Sequence, residues 1–448
     1  MQRQILRIAI PSIVSNVTVP LLALVDTGIV GHLGAASFIG AIALGSLLFS
    51  MVYWIFGFLR MGTGGLTAQA FGADRKAECT NILLRSLSLA LGIALMLVAL
   101  QVPIVELAFL FIPAPSNEVE QLARLYFQIL IWGAPAMLAL YSFNGWFLGM
   151  QNAKIPMTIA IVQNLINIAA SLFLVLVLGW KVEGVAAGTL IAQYSGLLMA
   201  IAFRKAKFHT KQRGRQLHNV FDRRAYAKFF AVNRDIFFRT LCLIAVTVSF
   251  TSLGSLLGEE TLAANTLLMQ FFMFFSYLMD GFAYAGESLG GRFFGAGEEQ
   301  SFRNLTRGLF KWGTAIALAF TLVYLGFGKA ILHLLTDNSE VVDLASKYLP
   351  FAIAVPLISF AAFLYDGLFI GLTATRGMLL SMFAATLGFF SLAFGIHLTS
   401  TSLWAAFLLY LGLRGGIQAA MMGKIRKSKF NTFRDKAPKD RHATFHEN

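Results

Sequence analysis

The run from Ile8 to Val30, IAIPSIVSNVTVPLLALVDTGIV, fixes the solvent in which this chain folds. It is long enough to cross a bilayer, for which roughly 20 apolar residues suffice. Runs of that length recur to the end of the chain, and only 13% of its residues are charged, against about 25% in a soluble protein. Inside hydrocarbon every backbone polar group must be satisfied within the chain, which leaves helices or a closed barrel. Barrel strands would alternate apolar and polar residues in short segments, and these runs do not. The chain is therefore read as an all-α, multi-pass membrane protein.

The spans fall at about 8–31, 38–62, 83–110, 124–149, 156–179 and 184–204, then at about 228–254, 263–289, 305–333, 347–371, 377–398 and 402–423, twelve in all. Turn-forming or charged stretches separate them, among them GMQNAKIP, FGAGEEQ and LLTDNSEVVD. No cleavable signal peptide is expected, because the first apolar run is full length and lacks a small-residue cleavage site. Cys79 and Cys242 have no metal or redox spacing.

The net charge of +14 concentrates in a basic linker, 206–227, and in a basic tail, 426–448, expected to be disordered. Basic segments beside spans follow the positive-inside rule rather than marking a nucleic-acid partner. They also suit anionic lipid headgroups. With the N terminus inside, Arg3, Arg7, Arg75, Lys76, Lys154, the linker, Arg303, Arg376 and the tail are all cytoplasmic, while Glu118, Glu120, Asp337 and Glu340 are outside. An even number of spans places both termini in the cytoplasm.

The two halves repeat. Leu66 to Asp74 aligns with Leu289 to Gly297, and Asn144-Gly145-Trp146-Phe147-Leu148-Gly149 with Asp366-Gly367-Leu368-Phe369-Ile370-Gly371. Both copies begin on the same side, so they are parallel repeats about an axis along the membrane normal. The expected architecture is an N-lobe of six helices (1–205) and a C-lobe of six (228–425) around a central cleft.

Asp26 is the only charged residue between Ile8 and Val30. A charge at membrane depth is costly and is functional by default. Protonation relieves the cost, since desolvation raises a carboxyl pKa. Pro11 and Pro20 let the same helix bend. An acid that gains and loses a proton on a bendable helix is a candidate switch; the alternative is a carboxylate that only caps or bonds its neighbours. Asn164 and Asn167 are three apart, hence on one helical face, and serve equally as interhelical glue or as solute contacts.

In the second half Asp235 and Arg239 have ion-pair spacing, with Arg234 alongside. Asp280 and Glu287 lie two turns apart on one face, and Asp366 falls in the tenth span. Two readings stand. One is a second cation site. The other is a buried network in which Arg234, Asp235 and Arg239 with Asp280 or Glu287 hold the packing, since buried ions require partners.

Taken together, IAIPSIVSNVTVPLLALVDTGIVGHLG, NGWFLGMQNAKIPM, QNLINI with GVAAGTLIAQ, VNRDIFFRT, LMDGFAYAGESLGGRFFGAG and YDGLFIGLTATRG resemble the MATE (multidrug and toxic compound extrusion) transporters, in the branch of the DNA-damage-inducible protein F. The resemblance covers nearly the whole chain. It implies antiport, in which organic, often cationic compounds leave the cytoplasm as H⁺ or Na⁺ enters. It matches Asp26 to a protonated acid, Pro11 to the bending proline, and Asn144, Asn167 and Thr189 to the polar pocket. It also suggests a cation role for Asp366. Ser171 departs from the pattern: relatives commonly carry a carboxylate there, and its loss bears on Na⁺ affinity.

No nucleotide loop, metal spacing or catalytic order is present, so an ion gradient must supply the energy and no enzyme activity is expected. Apart from the coupling H⁺ or Na⁺, no cofactor is implied. The expected setting is a bacterial inner membrane, with the protein a monomer in the lipid bilayer and small organic cations or amphipaths as its partners. Phe and Met, 42 and 15 in number, would suit such cations wherever they line a cleft. The rival reading is a flippase for a lipid-linked precursor, which would favour Arg and Lys where the N-lobe offers Asp and Asn.

Overall fold

The computed structural model describes residues 1–31, 36–112, 115–208, 220 and 222–436, and within these it is helical throughout. In chain order the helices are α1 (Gln2–Gly31), α2 (Ala36–Ile55), α3 (Phe58–Gly72), α4 (Lys76–Ala99), α5 (Gln101–Phe111), α6 (Asn117–Leu130), α7 (Ala134–Gly149), α8 (Lys154–Leu172), α9 (Val182–Lys207), α10 (Arg223–Ser255), α11 (Glu259–Ala296), α12 (Glu299–Leu335), α13 (Ser339–Gly371), α14 (Thr375–Gly395) and α15 (Ser400–Lys436). Among the described residues eleven segments are long and apolar enough to span a membrane. They begin at α2, and α1 with its 30 residues precedes them.

Three expected spans are broken, each for a local reason. The second divides into α2 and α3 at Phe56-Gly57. The third divides at Leu100, where Pro103 sits in the first turn of α5 and has no N–H to give the preceding helix. The fourth is α6, one 3₁₀ turn at Ile131–Gly133, and α7 with Pro135 in its first turn. The structure also differs at the end of the chain. The tail from 426 was expected to be disordered, yet α15 continues to Lys436. Phe430 is buried, with its ring 5.3 Å from that of Phe294 and 5.8 Å from that of Phe302, and so holds this charged turn in place.

By contacts the chain divides into two compact units, Arg7–Thr67 with Lys76–Thr240, and Leu241–Asn448 with Met1–Leu6 and Ala68–Arg75. In the former, α4 packs on α7 and α8 on α9. Trp146 fills that core and donates its indole N–H to the Cys79 carbonyl at 2.8 Å. In the latter, α11 and α13 form the most extensive pairing, and Phe250, Phe271, Phe389, Trp404 and Phe407 pack nearby. The Trp404 N–H is donated to Asn265 Oδ1 at 2.9 Å.

The repeat read from the sequence recurs in the backbone. Helices end in left-handed residues at Asp74 and at its equivalent Gly297, and again at Gln151 and its equivalent Thr373. All four ends make the same pair of Schellman bonds, for example Arg75 N–H to Ala70 O and Glu298 N–H to Phe293 O, both 2.9 Å. Close approaches repeat as well. A side chain at Gly145 would strike the Arg60 carbonyl, and one at Gly367 the carbonyl of the equivalent Ala283. Within the second unit, Gly72 meets the Arg292 carbonyl while Gly295 meets that of Gln69, the equivalent of Arg292.

Candidate functional site

The first candidate site begins with α8. Asn164, Asn167 and Ser171 follow a three-then-four spacing, so one helical face carries all three. Asn167 is buried and donates from Nδ2 to Thr189 Oγ1 on α9 at 2.9 Å, and Thr189 in turn donates to the Val185 carbonyl at 3.0 Å. Ser171 is buried one turn on from Asn167, against Gly188, whose lack of a side chain admits the hydroxyl. Asn164 is engaged elsewhere: its Nδ2 donates to the Thr18 carbonyl on α1 at 3.1 Å.

Asn144, on α7, contributes a buried Oδ1. Among the described residues of this unit, the side-chain oxygens buried without a hydrogen-bond partner include Asn144 Oδ1, Asn167 Oδ1, Ser171 Oγ and Gln193 Oε1. Sequence reasoning missed Gln193, which lies one turn beyond Thr189 on the same face of α9. That spacing was its signal. Buried polar atoms need partners, and this set favours a ligand that brings N–H or O–H donors.

α1 remains helical through Pro11 and Pro20. Each proline withholds the N–H that would bond the carbonyl four residues earlier, those of Arg7 and Asn16. Asp26 lies on α1 two turns beyond Thr18, and its side chain falls outside the described residues.

The second candidate site lies between α13 and α15. Asp366 accepts from Arg414 Nη2 and, through its other oxygen, from Gln418 Nε2 at 2.6 Å. All three side chains are buried, with Gln418 at 0% exposure. The Arg414 guanidinium also lies 5.5 Å from the centre of the Phe363 ring, and Asp280 on α11 is near enough to act on it electrostatically. Arg414 and Gln418 are four apart and so share a face. Neither was among the residues expected here.

Glu287, two turns beyond Asp280, is buried where its own carbonyl oxygen comes to 2.8 Å of the side-chain position at Gly371. Asp235 is paired with its neighbour Arg234 at 3.1 Å. Asp235 and Arg239 are both buried and belong to the first unit, whereas Asp280, Glu287 and Asp366 belong to the second. Among the described residues no group of three His, Cys, Asp or Glu is arranged to hold a metal ion.

The MatE family model matches residues 11–173 and 236–411. Over 415 residues the chain is 36% identical to DNA damage-inducible protein F of Escherichia coli, covering 92% of this chain and 90% of that protein. It is 24% identical over 431 residues to a probable multidrug resistance protein NorM of Geobacillus kaustophilus, covering 93% and 92%. The fold matches the outward-facing conformation of a multidrug resistance MATE family transporter of the MOP superfamily, with a TM-score of 0.84 at 20% identity over 98% of this chain and 97% of that one. The repeat, the spans and the family match agree, and the chain belongs to the MATE family of membrane transporters.

Proposed function

We propose that this protein is a secondary antiporter of the bacterial inner membrane that exports cationic or amphipathic organic compounds in exchange for protons. Its relatives' names support multidrug export. The occupancy of Asp366 carries the choice of ion. A hard cation such as Na⁺ needs a cage of oxygen ligands, and both oxygens of Asp366 already accept from nitrogen donors. Ser171 brings a hydroxyl and no charge to the first site, where the family resemblance implies a carboxylate. Asp26 is then the acid that titrates, and Asn144, Asn167, Ser171, Thr189 and Gln193 are the acceptors that hold the solute.

In this cycle Asp26 takes a proton from outside, loses its hold on its partners, and α1 bends near Pro11 or Pro20 as the solute leaves. Deprotonation towards the cytoplasm restores the charge that attracts the next cation. Such exchange needs ligands that bind the two conformations unequally.

Ethidium uptake into inverted vesicles with an acidified interior tests this reading. Wild-type protein is expected to transport without Na⁺, and Asp26→Asn to fold normally and lose transport. Transport that requires Na⁺ and survives Asp26→Asn would overturn the proton reading.

A further inference from the structure

A groove of about 320 Å³ opens between α4 and α10, within the first unit, and none of its lining residues belongs to either candidate site. Its walls are Ser88, Leu89, Gly92, Ile93 and Met96 on α4 and Tyr226 and Phe230 on α10. The volume falls at the lower end of ligand pockets, about 300–1,000 Å³. Gly92 forms the open floor, since a side chain built there would meet nothing within 4 Å. Met96 and Phe230 remain about half exposed, so the groove faces outward from the helix pair.

One end of the groove is polar. Ser88 Oγ and Tyr226 Oη lie 2.7 Å apart, and Ser88 also bonds the Arg85 carbonyl at 2.8 Å. Next to Tyr226, the first turns of α10 expose Arg223, Arg224 and Lys228. The one carboxylate there, Asp222, accepts from the Ala225 N–H at 3.1 Å as a helix cap, which leaves the turn net positive. Arg85 is already committed, donating to Glu78 Oε1 at 2.6 Å and to the Val220 carbonyl at 2.8 Å.

Topology orients the two ends. Four spans separate the start of α4 from the start of α10, so both helices enter the membrane from the same face. The basic turn precedes the expected seventh span and so belongs at headgroup depth, with the hydroxyl pair next below it and Gly92, Ile93 and Met96 deeper along α4. The order of chemistry along the groove is cation, hydroxyl, then apolar trough. A phospholipid with an anionic headgroup has that order.

We infer that this groove is a binding site for an anionic phospholipid, with one acyl chain along Gly92, Ile93, Met96 and Phe230 and the headgroup phosphate beside Arg223, Arg224 and Lys228. A transmembrane helix would be a poorer occupant, because it needs a long seam of small residues, and Leu89, Met96 and Phe230 interrupt one here.

The test uses the full-length protein in detergent, titrated with palmitoyl-oleoyl phosphatidylglycerol or phosphatidylcholine and read by native mass spectrometry. Wild-type protein should retain phosphatidylglycerol at least tenfold more tightly than phosphatidylcholine. Arg223→Gln with Arg224→Gln should remove that preference, as expected where each basic residue near a lipid surface contributes severalfold. Gly92→Phe fills open space, is expected to fold, and should abolish retention of both lipids. A photoactivatable phosphatidylglycerol should label α4 and α10 in wild-type protein and not in Gly92→Phe. Equal retention of the two lipids by wild type, retention unchanged in Gly92→Phe, or labelling confined to other helices would overturn the site. Displacement of the lipid by inorganic phosphate alone would overturn the acyl-chain half of the inference.

Discussion

A guanidinium buried like that of Arg414 stays charged, because it cannot be deprotonated in a protein. It must therefore be compensated in place, and Asp366 does this together with the Phe363 ring. Removing one member strands the other, at about 3–5 kcal/mol. Arg414→Met is expected to lower the melting temperature of the solubilised protein sharply. Arg414→Met combined with Asp366→Leu should recover most of the loss, since neither member of the pair is left stranded. If the pair is only structural, the double variant should also retain efflux driven by a pH gradient; a stable but inactive double variant would place the pair in the transport cycle. At this scale the sequence was half legible. Asp366 stood out as an intramembrane acid. Its partner lay 48 residues away, in the last span. Arg234 and Arg239 are read from the sequence as partners of Asp235 with Asp280 or Glu287, and spacing cannot choose among residues on different helices.

Helices that cross at carbonyl distance need positions without a side chain. Gly72→Ala would press a methyl group onto the Arg292 carbonyl, and Gly295→Ala would do the same to that of Gln69. Each is expected to cost about 1–3 kcal/mol, as overpacking does, and the two costs should be similar because the positions are equivalent. Gly326→Ala is the control: it meets open space in α12, and Ala is the better helix former by about 1 kcal/mol. Thermal unfolding in detergent would separate these outcomes. Spans were legible as elements because apolar length is a strong signal. Their breaks were not, since Phe56-Gly57 and Leu100 lie in runs whose hydropathy continues across them. The last turns of α15 were misread for the opposite reason. Their charge resembled a disordered tail, and one buried ring, Phe430, outweighs it.

For the whole molecule, twelve spans starting from a cytoplasmic N terminus would return the C terminus to the cytoplasm. A green fluorescent protein fused after Asn448 should fluoresce, and alkaline phosphatase at the same place should be inactive; the reverse pattern would invert the orientation. The parallel repeat was the most legible feature of all, because matching motifs such as NGWFLG and DGLFIG survive in both halves. The crossing of Gly72 on Arg292 and Gly295 on Gln69 carries a consequence for ancestry. Each half offers the same glycine and receives it on the same carbonyl, which is the reciprocity of a twofold homodimer interface. Such reciprocity is what a half-length ancestor, paired with a second copy of itself before fusion, would leave behind. The halves have since diverged at equivalent positions, as where Asn144 in the first answers to Asp366, bonded to Arg414, in the second.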